Sequence, residues 1–344
     1  VDDFAKLPVR DHTELFQTVA AQRGLLPAII EKDFWVCWTL RRLFTLQELP
    51  SGLLFKGGTS LSKVFKVIER FSEDIDLSFD RRKLGYDGRS DPLAASSRKQ
   101  RQKSLKALAT TCRQVIRERF LPQLQEVFAL MLGGTHTAGW SLELAEDDPE
   151  QQTINFLYPT IAQSRSAEQP AYIRPIVRLE MGARSEHWPA ADGLVTPFVA
   201  ESFANLFRVG TCQVHVLAAE RTFWEKATVL HSWYHAPPGK VLRDRQSRHY
   251  YDVVRLYEHG IGQKAIENTD LLLKVAEHKE AFFPCAWARY KEARPGSLRL
   301  VPPNSRLREL RQDYQSMREM IFGDVPTFDH LLGVLAEIES TVNG

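Results

Sequence analysis

The chain has 344 residues, of which 43% are apolar, 10% aromatic and 26% charged. That balance excludes disordered, collagen-like and disulfide-scaffold classes and leaves room for two or three domains with a large core. Forty-five basic against 43 acidic residues give a net charge of +2, which selects no class of partner. Cys37, Cys112, Cys212 and Cys285 lie too far apart for a CxxC metal or redox pair, and so sparse a set fits a reducing compartment. There is no membrane-length apolar run, and the first residues carry no apolar stretch of signal-peptide type. The expectation is a cytoplasmic protein with no membrane partner.

Residues 11–46 read as two helices, the second being AIIEKDFWVCWTLRRLF, with apolar residues at helical spacing. A short apolar strand over 52–55 leads into Lys56-Gly57-Gly58-Thr59-Ser60. Beyond it, Leu61, Val64, Phe65, Ile68 and Phe71 fit the i, i+3, i+4, i+7 template of a helix with one buried face, and Thr59 is placed as its N-cap. The period then changes. In Ser72–Phe79, Ile75, Leu77 and Phe79 alternate with Asp74, Asp76 and Ser78, which predicts a half-buried strand with both aspartates on one face.

Residues 80–104 are polar and loop-like, and a helix covers about 104–131. Segments 140–144 and 153–158 read as strands around the polar turn 146–149, and 172–181 reads as a fifth strand with Arg178 and Glu180 on its polar face. After about residue 200 the pattern is mostly helical, most clearly over 217–234, 247–259, 263–280 and 305–322. Connections rich in Pro or Gly occupy 236–239 and 295–303. The expected fold class is α+β, with a mixed β-sheet flanked by helices in residues 1–205 and a helical C-terminal domain over 206–344.

Two aspartates one residue apart on a strand can hold a hard cation through oxygen ligands, because the ion relieves their mutual repulsion. A DxD pair alone is also what a solvated acidic strand edge looks like. Here it follows a strand–Gly-Gly–helix unit, in which Gly57 and Gly58 leave backbone uncovered where a helix start presents free N–H groups to phosphate. His231 and His235 have the spacing of a zinc helix but lack the Glu of HExxH and a third ligand, so they read as a helix-end pair. No GxSxG or nucleophilic-cysteine context supports a hydrolase.

The run FKGGTSLSKVFKVIERFSEDIDLSF over 55–79 resembles the DNA polymerase β-like nucleotidyltransferases of the AbiEii/AbiGii toxin type, which include the MenT-like toxins. Their GG[ST]xLxK turn-helix corresponds to Gly57, Gly58, Thr59, Leu61 and Lys63, and their DxD strand to Asp74 and Asp76. Glu31–Trp35 is similar to an EKDxW helix upstream. Glu220–Lys226 and Arg248–Asp252 look like the third and fourth motifs, with His249 where relatives often have an acid.

The resemblance implies a nucleotidyltransferase core in which Asp74 and Asp76 bind Mg²⁺, or Mn²⁺ in its place. Gly57, Gly58, Thr59, Ser60 and Lys63 would bind the NTP, Lys226 would contact the triphosphate, and Asp252 would orient or charge-balance Lys226. Glu180 is the candidate third carboxylate and metal ligand, the competing reading being a salt bridge to Arg178 or Arg184.

Local charge is uneven. Residues 89–120 carry nine basic against two acidic side chains, Arg98, Lys99, Arg101 and Lys103 among them, and residues 286–318 carry eight against three. Arg243, Arg245 and Arg248 add to this. Such stretches are often only solvated faces, yet they suit a polyanion held through its phosphates. The resemblance implies a toxin of a toxin–antitoxin system that transfers a nucleoside monophosphate from NTP to RNA, the tRNA 3′ end in some members, with a cognate antitoxin protein as partner. The alternatives are transfer to a protein or small-molecule hydroxyl, and a non-catalytic module that binds RNA or antitoxin.

Overall fold

The structure is a computed structural model that describes residues 1–46, 52–72, 74–134, 139–160 and 173–344. It divides into two compact units: Val1–Val64 with Ser72–Val216, and Phe65–Phe71 with Leu217–Gly344. The α+β expectation holds, with a mixed sheet and many helices. Among the described residues no helix is long and apolar enough to cross a membrane.

The first unit opens with helices α1 (Asp2–Ala5), α2 (Val9–Arg23) and α3 (Pro27–Thr45), the last begun by Pro27 at its first position, where a missing N–H costs nothing. Strand β1 (Leu53–Lys56) runs into α4 (Gly57–Lys63), and β2 (Asp74–Phe79) follows. Helix α5 (Arg98–Val115) continues through a π-turn at Ile116–Phe120 into α6 (Leu121–Leu132). The wide turn lies just before Pro122, whose ring would otherwise meet the carbonyl four residues back. Strands β3 (Ser141–Leu144), β4 (Thr153–Leu157), β5 (Ile176–Gly182), β6 (Ala190–Val195) and β7 (Cys212–Leu217) complete a seven-stranded sheet of order β3-β4-β5-β2-β1-β7-β6.

Strand β2 is the pivot of that sheet, antiparallel to β1 and parallel to β5. Its pleat sends Ile75, Leu77 and Phe79 to the apolar face, where all three are buried. That face is covered by the α3 and α5–α6 helices: Trp35 and Trp38 pack on Phe156, Trp38 meets Phe128 edge-on at 4.7 Å, and Phe120 meets Phe79 at 5.5 Å. The opposite face carries Lys56, Asp74, Asp76, Arg178 and Glu180 in register.

Several elements differ from the sequence reading. The helix begun at Gly57 stops at Lys63, and Thr59 lies inside it while Lys56 holds the N-cap position. Lys66 has φ +55°, a left-handed conformation that ends helical continuation. Phe71 N–H then bonds to Met320 O at 2.7 Å and Arg70 pairs antiparallel with Ile321. The apolar spacing over 61–71 therefore serves two different surfaces, not one helix face. Strands β6 and β7 were not anticipated. Glu73 and Tyr172, expected within strands, lie outside the described residues.

In the second unit the helices are Ala219–Tyr234, Arg248–Glu258, Ile261–Glu267, Thr269–Phe282, Asn304–Met317 and Phe328–Asn343. The expected helix 263–280 is split at Asn268, and the last helix was not anticipated. His231 is fully buried, its Nδ1 accepting from Arg299 N–H at 3.1 Å and its Nε2 lying 3.2 Å from Arg289 O. Both ring nitrogens are therefore used by the backbone.

Candidate functional site

The polar face of the first unit's sheet brings the turn and the acidic strand together. Gly57 has φ +78°, in the region that favours glycine. A Cβ built there would overlap the Asp76 carboxylate, so the carboxylate lies against bare backbone. Thr59 ties the same two motifs from below: its hydroxyl donates to Asp74 O at 2.5 Å and reaches Ser72 Oγ at 3.0 Å. Gly58 and Thr59 are buried.

Ser60, expected at the triphosphate, is fully buried, and its hydroxyl donates to Gly57 O at 2.8 Å. Lys63, expected at the nucleotide, is buried as well. Its Nζ lies 2.6 Å from Asp33 Oδ1 and 3.9 Å from the centre of the Phe198 ring. Burial alone would lower the Lys63 pKa, but neighbouring negative groups, Asp33 first among them, raise it overall and hold the ammonium charged. Asp33 Oδ2 in turn accepts from Phe198 N–H at 2.7 Å. Ser60 and Lys63 thus brace the turn from inside, and Lys63 joins it to the EKDFW helix.

Across the strands, Lys56, Asp76 and Glu180 are register neighbours on β1, β2 and β5. Lys56 Nζ lies 3.6 Å from Asp76 Oδ1. Sequence reasoning missed Lys56, although its place follows from the alternation of β1, in which buried Phe55 precedes it. Glu180 is exposed, with Oε1 3.9 Å from Arg178 Nε, while Arg178 binds Asp147 at 3.0 Å.

Asp74 and Asp76, half-buried and on one face, offer hard oxygen donors beside uncovered backbone. Among the described residues no group of three His, Cys, Asp or Glu is disposed to hold an ion; Glu180 is the register neighbour of Asp76 on β5. A pair of carboxylates suits Mg²⁺, which is usually held by one or two carboxylates with water and substrate phosphates in its other positions.

The second unit holds the remaining predicted residues. Asp252, fully buried, accepts from Lys226 Nζ at 2.8 Å and from Arg70 through Nε at 2.7 Å and Nη2 at 2.8 Å. Burial would raise the Asp252 pKa, but the two cations hold it well below the usual carboxylate range. Burial also lowers the Lys226 pKa, Asp252 opposes this, and Arg70 adds to the lowering. The bidentate Arg70 went unread because its segment was assigned to a helix. His249 is half-buried and held neutral by burial and the neighbouring Lys226 and Arg248 charges. Arg243 and Arg248 are exposed. Arg245, at φ +61°, donates its backbone N–H to Asp313 at 2.6 Å.

Of the basic residues predicted on α5, Arg98, Lys99 and Lys103 are exposed, whereas Arg101 donates to Pro92 O at 3.1 Å.

Among solved structures the chain is similar to MenT4, a nucleotidyltransferase toxin from Mycobacterium tuberculosis H37Rv, with a TM-score of 0.51 and 15% identity over 95% of this chain and 89% of that one. Comparison with curated protein sequences gives no match. Residues 38–334 match the family described as nucleotidyl transferase AbiEii toxin, type IV TA system, a span that includes the glycine turn, the acidic strand and the Lys226–Asp252 pair. The chain belongs to the AbiEii family of nucleotidyltransferase toxins of type IV toxin–antitoxin systems.

Proposed function

We propose that this nucleotidyltransferase moves a nucleoside monophosphate from NTP to an RNA hydroxyl, the 3′ end of tRNA being the leading acceptor, in the cytoplasm and with Mg²⁺ as the ion. The observation that carries the reading is the placement of the Asp76 carboxylate against Gly57. The acceptor hydroxyl gives up its proton to water, its oxygen bonds to the α-phosphorus, the bond from that phosphorus to the β-phosphate bridging oxygen breaks, and pyrophosphate leaves with the electron pair. Asp74 and Asp76 would hold the cation, which when bound offsets triphosphate charge and lowers the pKa of a coordinated oxygen. Phosphoryl transfer otherwise depends mainly on positioning.

The Gly57–Gly58 backbone offers the triphosphate an approach without side chains, and Thr59, Ser60 and Lys63 support the turn from behind. Lys226 is assigned its triphosphate contact by the third sequence motif alone, and Asp252 keeps it oriented. The basic residues of α5 and of the 243–248 loop support a polyanionic acceptor. The family implies an antitoxin partner.

The test is incubation of the protein with each of four α-labelled NTPs and a cell extract, with and without Mg²⁺. Label in tRNA only with Mg²⁺ is the expected result. Label in protein or low-mass material would move the acceptor to one of those classes.

A further inference from the structure

We infer that the outward face of α5 is a docking rail for the sugar–phosphate backbone of a folded RNA, gripping the body of the acceptor and not the end that receives the nucleotide. The inference rests on the RNA-acceptor reading above.

Lys99, Lys103 and Lys106 stand at i, i+4 and i+7 and are exposed, whereas Leu105, Leu108 and Cys112 bury the other side of the helix. The three ammonium groups lie along about 10 Å of axis at 1.5 Å per residue. None of them makes an ion pair with the described residues, and no acidic residue occurs between Pro92 and Arg117. Two other cations of the region are engaged, Arg101 on Pro92 O and Arg117 on Gln151 Oε1. Ser97, Gln100 and Gln102 line the same shallow groove as the lysines, adding neutral donors that suit phosphate oxygens. A stripe of one sign, uncompensated, raises a local potential that a polyanion relieves.

Its place in the fold sets what the polyanion must be. Phe120, at the end of the π-turn that follows α5, packs on Phe79 on the apolar face of β2, while Asp74 and Asp76 project from the other face. Lys99, Lys103 and Lys106 lie 14 to 21 residues before Phe120, on the helix that leads to the sheet's apolar face, whereas the carboxylates project from the opposite face. A polyanion that contacts both has to pass around the sheet, which suits a folded RNA better than a short strand. The backbone-only chemistry matches recognition of duplex RNA by shape and phosphates.

The test uses the full-length protein and the Lys99→Gln/Lys103→Gln/Lys106→Gln variant. Two RNAs share one 3′ sequence: a hairpin of about 20 base pairs and a single strand of about six nucleotides. Hairpin binding is followed by fluorescence anisotropy between about 50 and 200 mM salt. The ratio of kcat/KM for hairpin over short strand is measured alongside. The variant is expected to bind the hairpin at least about tenfold more weakly, with a salt slope reduced by about 2, and its kcat/KM ratio is expected to fall towards one. Unchanged affinity and slope would overturn the rail. If RNA is never labelled but hairpin affinity still depends on these lysines, the rail stands and the acceptor reading falls. If neither is seen, both fall.

Discussion

The Asp76 carboxylate occupies the space that a side chain at Gly57 would need, so the glycine turn and the acidic strand are fitted to each other. Gly57→Ala has two effects: strain at φ +78° and displacement of that carboxylate. The predicted cost is about 1–3 kcal/mol in stability, with nucleotide transfer reduced at least about tenfold. Gly85, at φ +86° with nothing within 4 Å, is the control. Gly85→Ala should lose about 1 kcal/mol and keep transfer, as read by thermal unfolding and label incorporation.

The Lys63–Asp33 pair is buried on both sides, which makes its loss asymmetric. Lys63→Met leaves a carboxylate without its cation and should cost about 3–5 kcal/mol in urea unfolding. Adding Asp33→Leu should recover part of that. The recovery stays incomplete because Phe198 N–H loses its acceptor.

Arg70 forks onto Asp252 through two nitrogens, a geometry lysine cannot copy. Arg70→Met is expected to destabilise the protein by about 3–5 kcal/mol, and Arg70→Lys by less. Asp252 has a depressed pKa, so its stabilisation is complete above the ordinary aspartate range and fades as pH falls through and below it. Asp252→Asn should therefore be less stable at neutral pH and show a shallower acid limb, seen by urea unfolding at several pH values.

His231 supplies a second pH dependence at milder acidity. Burial pushes its pKa down to about 4, while the unfolded chain takes up the proton near the ordinary value of about 6.5. The folded state thus binds fewer protons across that interval, and stability falls as pH drops through it. His231→Gln should remove about 1.4 kcal/mol per pH unit of that slope. His187, also pushed down to about 4 by burial, keeps the remaining slope nonzero.

The sheet's centre was legible because a period of two is hard to mistake: Ile75, Leu77 and Phe79 point in while Asp74 and Asp76 point out. The turn was legible because Gly57 and Gly58 stand between two clear periodicities. What stayed hidden depends on distant partners. Lys63 has the look of a solvated lysine until Asp33, thirty positions earlier, is placed beside it. Arg70 sits in a segment whose spacing copies a helix but which pairs in extended form with Ile321. Ala190–Val195 contains Asp192 and Gly193 and has little strand propensity of its own, so its place at the sheet edge comes from neighbouring β7.

In the proposed reaction Asp74 and Asp76 hold a divalent ion for a nucleotide seated at the glycine turn. Calorimetric titration of NTP into the wild-type protein, Asp74→Asn and Asp76→Asn, each with Mg²⁺ and with EDTA, tests it most directly. Binding by the wild type is expected only when Mg²⁺ is present, and binding by either variant is expected to be at least about tenfold weaker. Equal NTP affinity in wild type and Asp76→Asn, or binding indifferent to Mg²⁺, would contradict it.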